Sequence, residues 1–213
     1  NGRLNLQGAS GKNSSIGCTS TDGSQVNFAG GIADHCTLYG VNCLEGSSLN
    51  CSSANLTFAG QYGIRASNCD KVSAYLADTS DCAVAGVWAE QASTVAIKNG
   101  KADRSATGIR ADGASSVDFE GGSAINCASR AIQDLAASKV NAINCTLSGA
   151  GVNGILANIG SDIAANGANC RMGAVDAPTD IAIGNGSRIS AATAIGGKSV
   201  AVNTLTRDGF ITF

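Results

Sequence analysis

Charge and aromatic rings are scarce in this sequence. Of its 213 residues only 14% are Asp, Glu, Lys or Arg and only 4% are aromatic, where about a quarter of an average chain is charged. The net charge of −2 gives no basic footprint for nucleic acid. Proline, methionine and histidine occur once each. A Ser-His-Asp triad would have to use His35, and no serine stands in a GxSxG frame. A P-loop, a GxGxxG in strand–turn–helix context and a GGxGxD calcium-binding array are all missing. No apolar run approaches eighteen residues, so membrane insertion is not expected. The chain starts at Asn1 with no basic-then-apolar leader, as a fragment of a longer protein would. Disorder fits poorly, because disordered chains are rich in charge and proline and poor in β-branched residues.

What is abundant is small: 28 glycines, nine cysteines, and many Ala, Ile and Val. The odd cysteine count without a CxxC pair argues against a disulfide framework. Cys43 and Cys51 flank Leu49 where an apolar strand residue would serve, so the cysteines read as reduced, packed thiols assembled in a reducing compartment. His35, Cys36, Cys43 and Cys51 form the one candidate zinc cluster, but their spacing matches no familiar ligand pattern. No metal and no cofactor is expected.

A repeat decides the fold. A small residue followed by Ile or Val recurs as Gly40-Val41, Gly63-Ile64, Gly86-Val87, Gly108-Ile109, Ala131-Ile132, Gly154-Ile155 and Asp180-Ile181, at intervals of 23, 23, 22, 23, 23 and 26 residues. Eight residues after each β-branched position stands another aliphatic: Leu49, Val72, Val95, Val117, Val140, Ile163, Ile189. Between these columns runs Ser47, Asp70, Ser93, Ser115, Ser138, Ser161, Ser187, the signature of a turn ladder. Each unit reads as strand, tight turn, strand and a variable return, and stacking such units creates a continuous core. A leucine-rich frame is absent, and helix pairs would need longer units with less glycine. The expected architecture is all-β, a right-handed parallel β-helix (β-solenoid) of about 7–8 coils with a period of about 23 residues. It should span residues 1–195, with 196–213 as a closing strand or cap carrying Ile211 and Phe213. The stretch Arg171–Thr179, which holds Pro178, is expected to be a loop.

Columns of Val, Ile, Ala, Ser and Asn in a parallel β-helix, over residues 16 to about 195, resemble the stalks of bacteriophage tailspikes and tail fibres and, more widely, the pectate-lyase-like superfamily. The resemblance implies a homotrimer on the virion tail, assembled in the host cytoplasm, that recognises and often cleaves a bacterial surface polysaccharide. It carries no catalytic residue over. The alternatives are a polysaccharide depolymerase (glycoside hydrolase or lyase) of the same fold, and an adhesin or autotransporter passenger at the bacterial cell surface.

The register assigns sides. Arg65, Trp88 and Arg110 should stack as one outward ladder beside Glu90 and Asp112. Trp88 offers a face for a sugar ring and the arginines bind hydroxyls or acidic groups, so these three are the candidate ligand-binding residues. Glu90 and Asp112, on neighbouring coils, could form a glycosidase pair. Equally, the row could be cross-strand ion pairs on an exposed sheet, or Trp88 an intersubunit contact. Asp118 and Glu120, outward on the next face, are a second candidate pair. A third acidic set, Asp78, Asp81 and Asp103 with Arg104, lies in the returns. Asp134 falls in an inward column, and a bulge is expected to turn it out and Leu135 in.

Overall fold

The computed structural model describes residues 2–170, 179–193, 200–202 and 210–212. Two parallel sheets run its length. Short strands form one: β1 (Arg3–Asn5), β3 (Gln25–Asn27), β5 (Ser48–Asn50), β7 (Lys71–Ser73), β9 (Thr94–Ala96), β11 (Ser116–Asp118), β13 (Lys139–Asn141), β15 (Asp162–Ala164), β17 (Arg188–Ser190) and β19 (Phe210–Thr212). Alternating with them are the longer β2 (Ile16–Ser20), β4 (Tyr39–Leu44), β6 (Tyr62–Ser67), β8 (Ala85–Glu90), β10 (Thr107–Ala111), β12 (Arg130–Leu135), β14 (Asn153–Asn158), β16 (Thr179–Ile183) and β18 (Val200–Val202). The return closes a third side only one bridge wide, running Ser10, Ile32, Asn55, Asp78, Lys101, Ser123, Thr146, Asn169. This is the parallel β-helix that the repeat implies.

Each column maps onto a place in the coil. Val41, Ile64, Val87, Ile109, Ile132 and Ile155 line the lumen from the long sheet, and Leu49, Val72, Val95, Val117, Val140 and Ile163 from the short one, all buried. Phe28 and Phe119 are the largest fully buried side chains. Cys18, Cys36, Cys43, Cys51, Cys69, Cys82, Cys127, Cys145 and Cys170 are all buried and free, behaving as small hydrophobes.

On β4, β6, β8 and β10 the glycine before the β-branched residue is there for space. A Cβ on Gly63 would lie 2.6 Å from the Thr79 Cβ, and one on Gly108 2.6 Å from the Ala124 Cβ. The glycine therefore faces the lumen, and so does the residue after it. Two consecutive inward positions break the period of two, so the residue preceding the glycine points outward.

The turn ladder forms along the middle coils, whereas Ser47 Oγ is buried without a hydrogen-bond partner. Ser93 Oγ accepts from the Cys69 N–H at 3.1 Å, Ser115 Oγ from Ser93 at 3.2 Å, and Ser138 Oγ from Ser115 at 3.1 Å. In the coil of β6, Cys69 rather than Asp70 takes the buried corner, and Asp70 is exposed. Most of these turns use two successive left-handed residues, such as Gln91 and Ala92 or Ala136 and Ala137. The β6 turn uses Asn68 alone and so reaches the corner one residue early.

Asp134 does not bulge out. It is paired in register between Ala111 and Ala157, fully buried, while Leu135 pairs with Asn158 and stays half-exposed. Five register pairs hold β12 to β14, and a one-residue slip would sacrifice them and invert the whole strand. The small alanines on either rung leave room for the carboxyl group. Residues 171–178, expected to be a loop, lie outside the described residues. Beyond them β18 and β19 add a further rung to each sheet, paired with β16 and β17. The side chains of Ile211 and Phe213, expected to cap the end, are outside the described residues.

Candidate functional site

The long sheet presents its most elaborate chemistry on β4, β6, β8 and β10. Arg65, Trp88 and Arg110 are aligned in register on successive strands, as the sequence predicts. Arg65 from the rung before and Arg110 from the rung after both lie over the Trp88 ring, with guanidinium-to-centroid distances of 5.7 and 5.1 Å. Trp88 is thus engaged by cations from both sides. Its Nε1, together with Nε of Arg65 and of Arg110, is buried without a hydrogen-bond partner.

Glu90 and Asp112 join this cluster as counter-ions. Arg65 Nη2 donates to Glu90 Oε1 at 2.8 Å, and Arg110 Nη2 to Asp112 Oδ2 at 3.4 Å.

Two residues that sequence reasoning missed complete the site. Tyr39 and Tyr62 stand immediately before the glycines of their strands, where strict alternation would point them inward. The inward glycine turns them out instead. Tyr39 stacks on Tyr62 with centroids 5.7 Å apart, Tyr62 meets Trp88 at 4.7 Å, and Arg65 also lies 5.5 Å from the Tyr39 centroid. Burial raises the Tyr62 hydroxyl above its ordinary pKa, with Arg110 partly opposing this. The signal was available: Tyr recurs at the same offset in consecutive repeats. Arg130, in the same outward column as the tyrosines, has no carboxylate within 4 Å among the described residues.

Asp118 and Glu120 lie on the other face. Lys98 Nζ bridges them at 3.1 and 2.8 Å, and Asn141 donates to Asp118 at 3.0 Å. These bonds raise the Lys98 pKa, Glu120 contributing most. In the returns, Arg104 forms a two-bond pair with Asp81 at 2.7 and 2.6 Å, and Asp103 accepts from the Ile125 N–H at 2.8 Å. His35 stacks on Phe58 at 4.8 Å. Among the described residues no group of three or more His, Cys, Asp or Glu is placed to hold a metal.

No protein-family model matches the sequence, and a search of curated proteins gives no match. By structure the chain is similar to a periplasmic alginate epimerase, AlgG, in two mutant crystal structures. The single mutant superposes with a TM-score of 0.61 at 11% identity, over 91% of this chain and 48% of that one. The double mutant gives 0.61 at 12%, over 92% and 48%. This chain therefore spans about half the length of those enzymes, and the likeness establishes a shared parallel β-helix fold.

Proposed function

We propose that this chain is the β-helical segment of a phage tailspike or tail fibre, a homotrimer that recognises a bacterial surface polysaccharide through the outward row of its long sheet. The observation that carries the reading is the mutual packing of Tyr39, Tyr62, Arg65, Trp88 and Arg110. Five of the sequence's few aromatic and cationic side chains are spent on one rigid surface, where most other outward positions are Asn, Ser, Thr or Ala. Ring edges, hydroxyls and guanidinium N–H groups fixed in place lose little entropy when they meet sugar hydroxyls.

Calorimetric titration with host capsule or O-antigen tests this. Arg110→Ala, which also frees Asp112, is expected to weaken binding at least tenfold, or about 1.4 kcal/mol. Unchanged affinity would assign the row to packing alone. Equilibrium sedimentation should give three times the 21.1 kDa chain mass, and a monomer at micromolar concentration would sink the trimeric spike.

The fold shared with a polysaccharide-modifying enzyme supports a second reading, a depolymerase. Turnover of the glycan that is abolished by Glu90→Gln or Asp112→Asn would favour it over simple recognition.

A further inference from the structure

The long sheet is filled with stacked side chains, whereas the short sheet is hollowed. A depression of about 500 Å³ is lined by β1, β3, β5 and β7. Two more, of about 350 and 280 Å³, continue the line along β11, β13, β15 and β17. The first two lie between the two outward rows of the three-residue strands, and the third flanks the cationic row on the side of the turns, against Gly160, Ser161 and Gly186. Those rows are two residues apart, about 6.6 Å, so the channel is one sugar ring wide.

The rows differ in chemistry. One is an amide row: Asn27 Nδ2 donates to Asn5 Oδ1 and Asn50 Nδ2 to Asn27 Oδ1, each at 3.0 Å. Oδ1 of Asn27 and of Asn50 also accepts a backbone N–H two residues on, which locks the amides in place. The facing row carries Arg3, Lys71, Lys139 and Arg188, all exposed, and none has a carboxylate within 4 Å among the described residues. Most other described cations, including Lys12, Arg65, Lys98, Arg104 and Arg110, are ion-paired. Unpaired positive charge is therefore concentrated on one edge of one channel. No acid lines the first hollow. In the later ones Asp162 sits in the cationic row between Lys139 and Arg188, and the Asp118 charge is met by Lys98.

We infer that this channel is a second binding surface, which takes an extended acidic polysaccharide lying along the solenoid axis. Arg3, Lys71 and Lys139 recur every third rung, about 14 Å apart, and meet carboxylates on one side of the polymer. The fixed amides meet hydroxyls on the other. A nucleic acid fits less well. The channel is far narrower than a duplex, and no aromatic side chain lines it for base stacking. None of these residues belongs to the Trp88 row, so the inference stands apart from the proposal above.

The test is titration of the whole chain with polygalacturonate, and with dextran as a neutral control, at low and high salt. Binding of polygalacturonate alone, weakened by salt, is expected. Lys71→Glu combined with Lys139→Glu should lower affinity at least tenfold, with Lys71→Gln and Lys139→Gln as milder variants should the double reversal disturb folding. Asp162→Asn should raise affinity severalfold. Trp88, the chain's single tryptophan, reports on the other sheet, so its emission should not change. Equal binding of dextran, wild-type affinity in both charge-changed pairs, no binding of polygalacturonate, or tighter binding of single-stranded DNA would each overturn the inference.

Discussion

Asp134 is the most exceptional single residue. Both carboxyl oxygens lack hydrogen-bond partners, and burial, which dominates over the neighbouring Asp162 and Asp112, pushes its pKa from 3.8 to about 8. The unfolded chain releases this proton near pH 4 while the folded chain keeps it to about pH 8. The contribution of Asp134 to stability is therefore greatest below pH 4 and falls with rising pH across that window, by up to about 1.4 kcal/mol per unit. Asp134→Ala matches its neighbours Ala111 and Ala157, so it should abolish that slope and stabilise the fold by a few kcal/mol at pH 8. Urea unfolding from pH 5 to 9 measures both effects. The thiols make a second residue-scale prediction. Burial pushes Cys18 up to about 11, and Cys82, Cys127 and Cys145 up to about 12. At pH 8 these four thiols should therefore resist, in the native protein, a thiol-reactive dye that labels all nine cysteines in denaturant.

At the scale of the element, the turns between long and short strands hold the local strain. Ile159 adopts φ 59°, a conformation costly for a β-branched side chain, and it is 55% exposed, so little burial offsets the cost. Ile159→Gly should raise stability by about 1 kcal/mol in the same unfolding assay. Strand identity and register were legible because apolar columns report inward positions directly. Two details were not. The left-handed residue count that moves Cys69 into the corner is a backbone property that Asn68 does not announce. The outward tyrosines depend on the inward glycine, whose reason is contact with Thr79 and its equivalents on the far wall, a non-local fact. Asp134 shows the opposite error: the columns placed it inward correctly, and the cost of burying it was overestimated relative to the loss of strand register.

For the whole molecule, each coil touches chiefly its neighbours, which makes the solenoid nearly one-dimensional. The site was half legible at this scale. Arg65, Trp88 and Arg110 follow from the period, yet side-chain engagement does not, so the free aromatic face expected of Trp88 is replaced by a cation on either side. Removing residues 87–108 joins Gly86 to Ile109 in phase, and circular dichroism should retain the β signal with a melting temperature lowered by only a few degrees. Removing half that length should lower the melting temperature far more, because the strands on either side of the deletion would no longer meet in register.

That constancy of register makes the molecule a ruler. Any two groups on one outward row are separated by a whole number of rungs of about 4.8 Å, so spacing along the axis is quantised and can change only by insertion or loss of an entire repeat. The 22-residue deletion would bring Arg65 and Arg110 from two rungs apart to one without altering either side chain. Selection on such a surface acts in discrete steps of length, one whole repeat at a time.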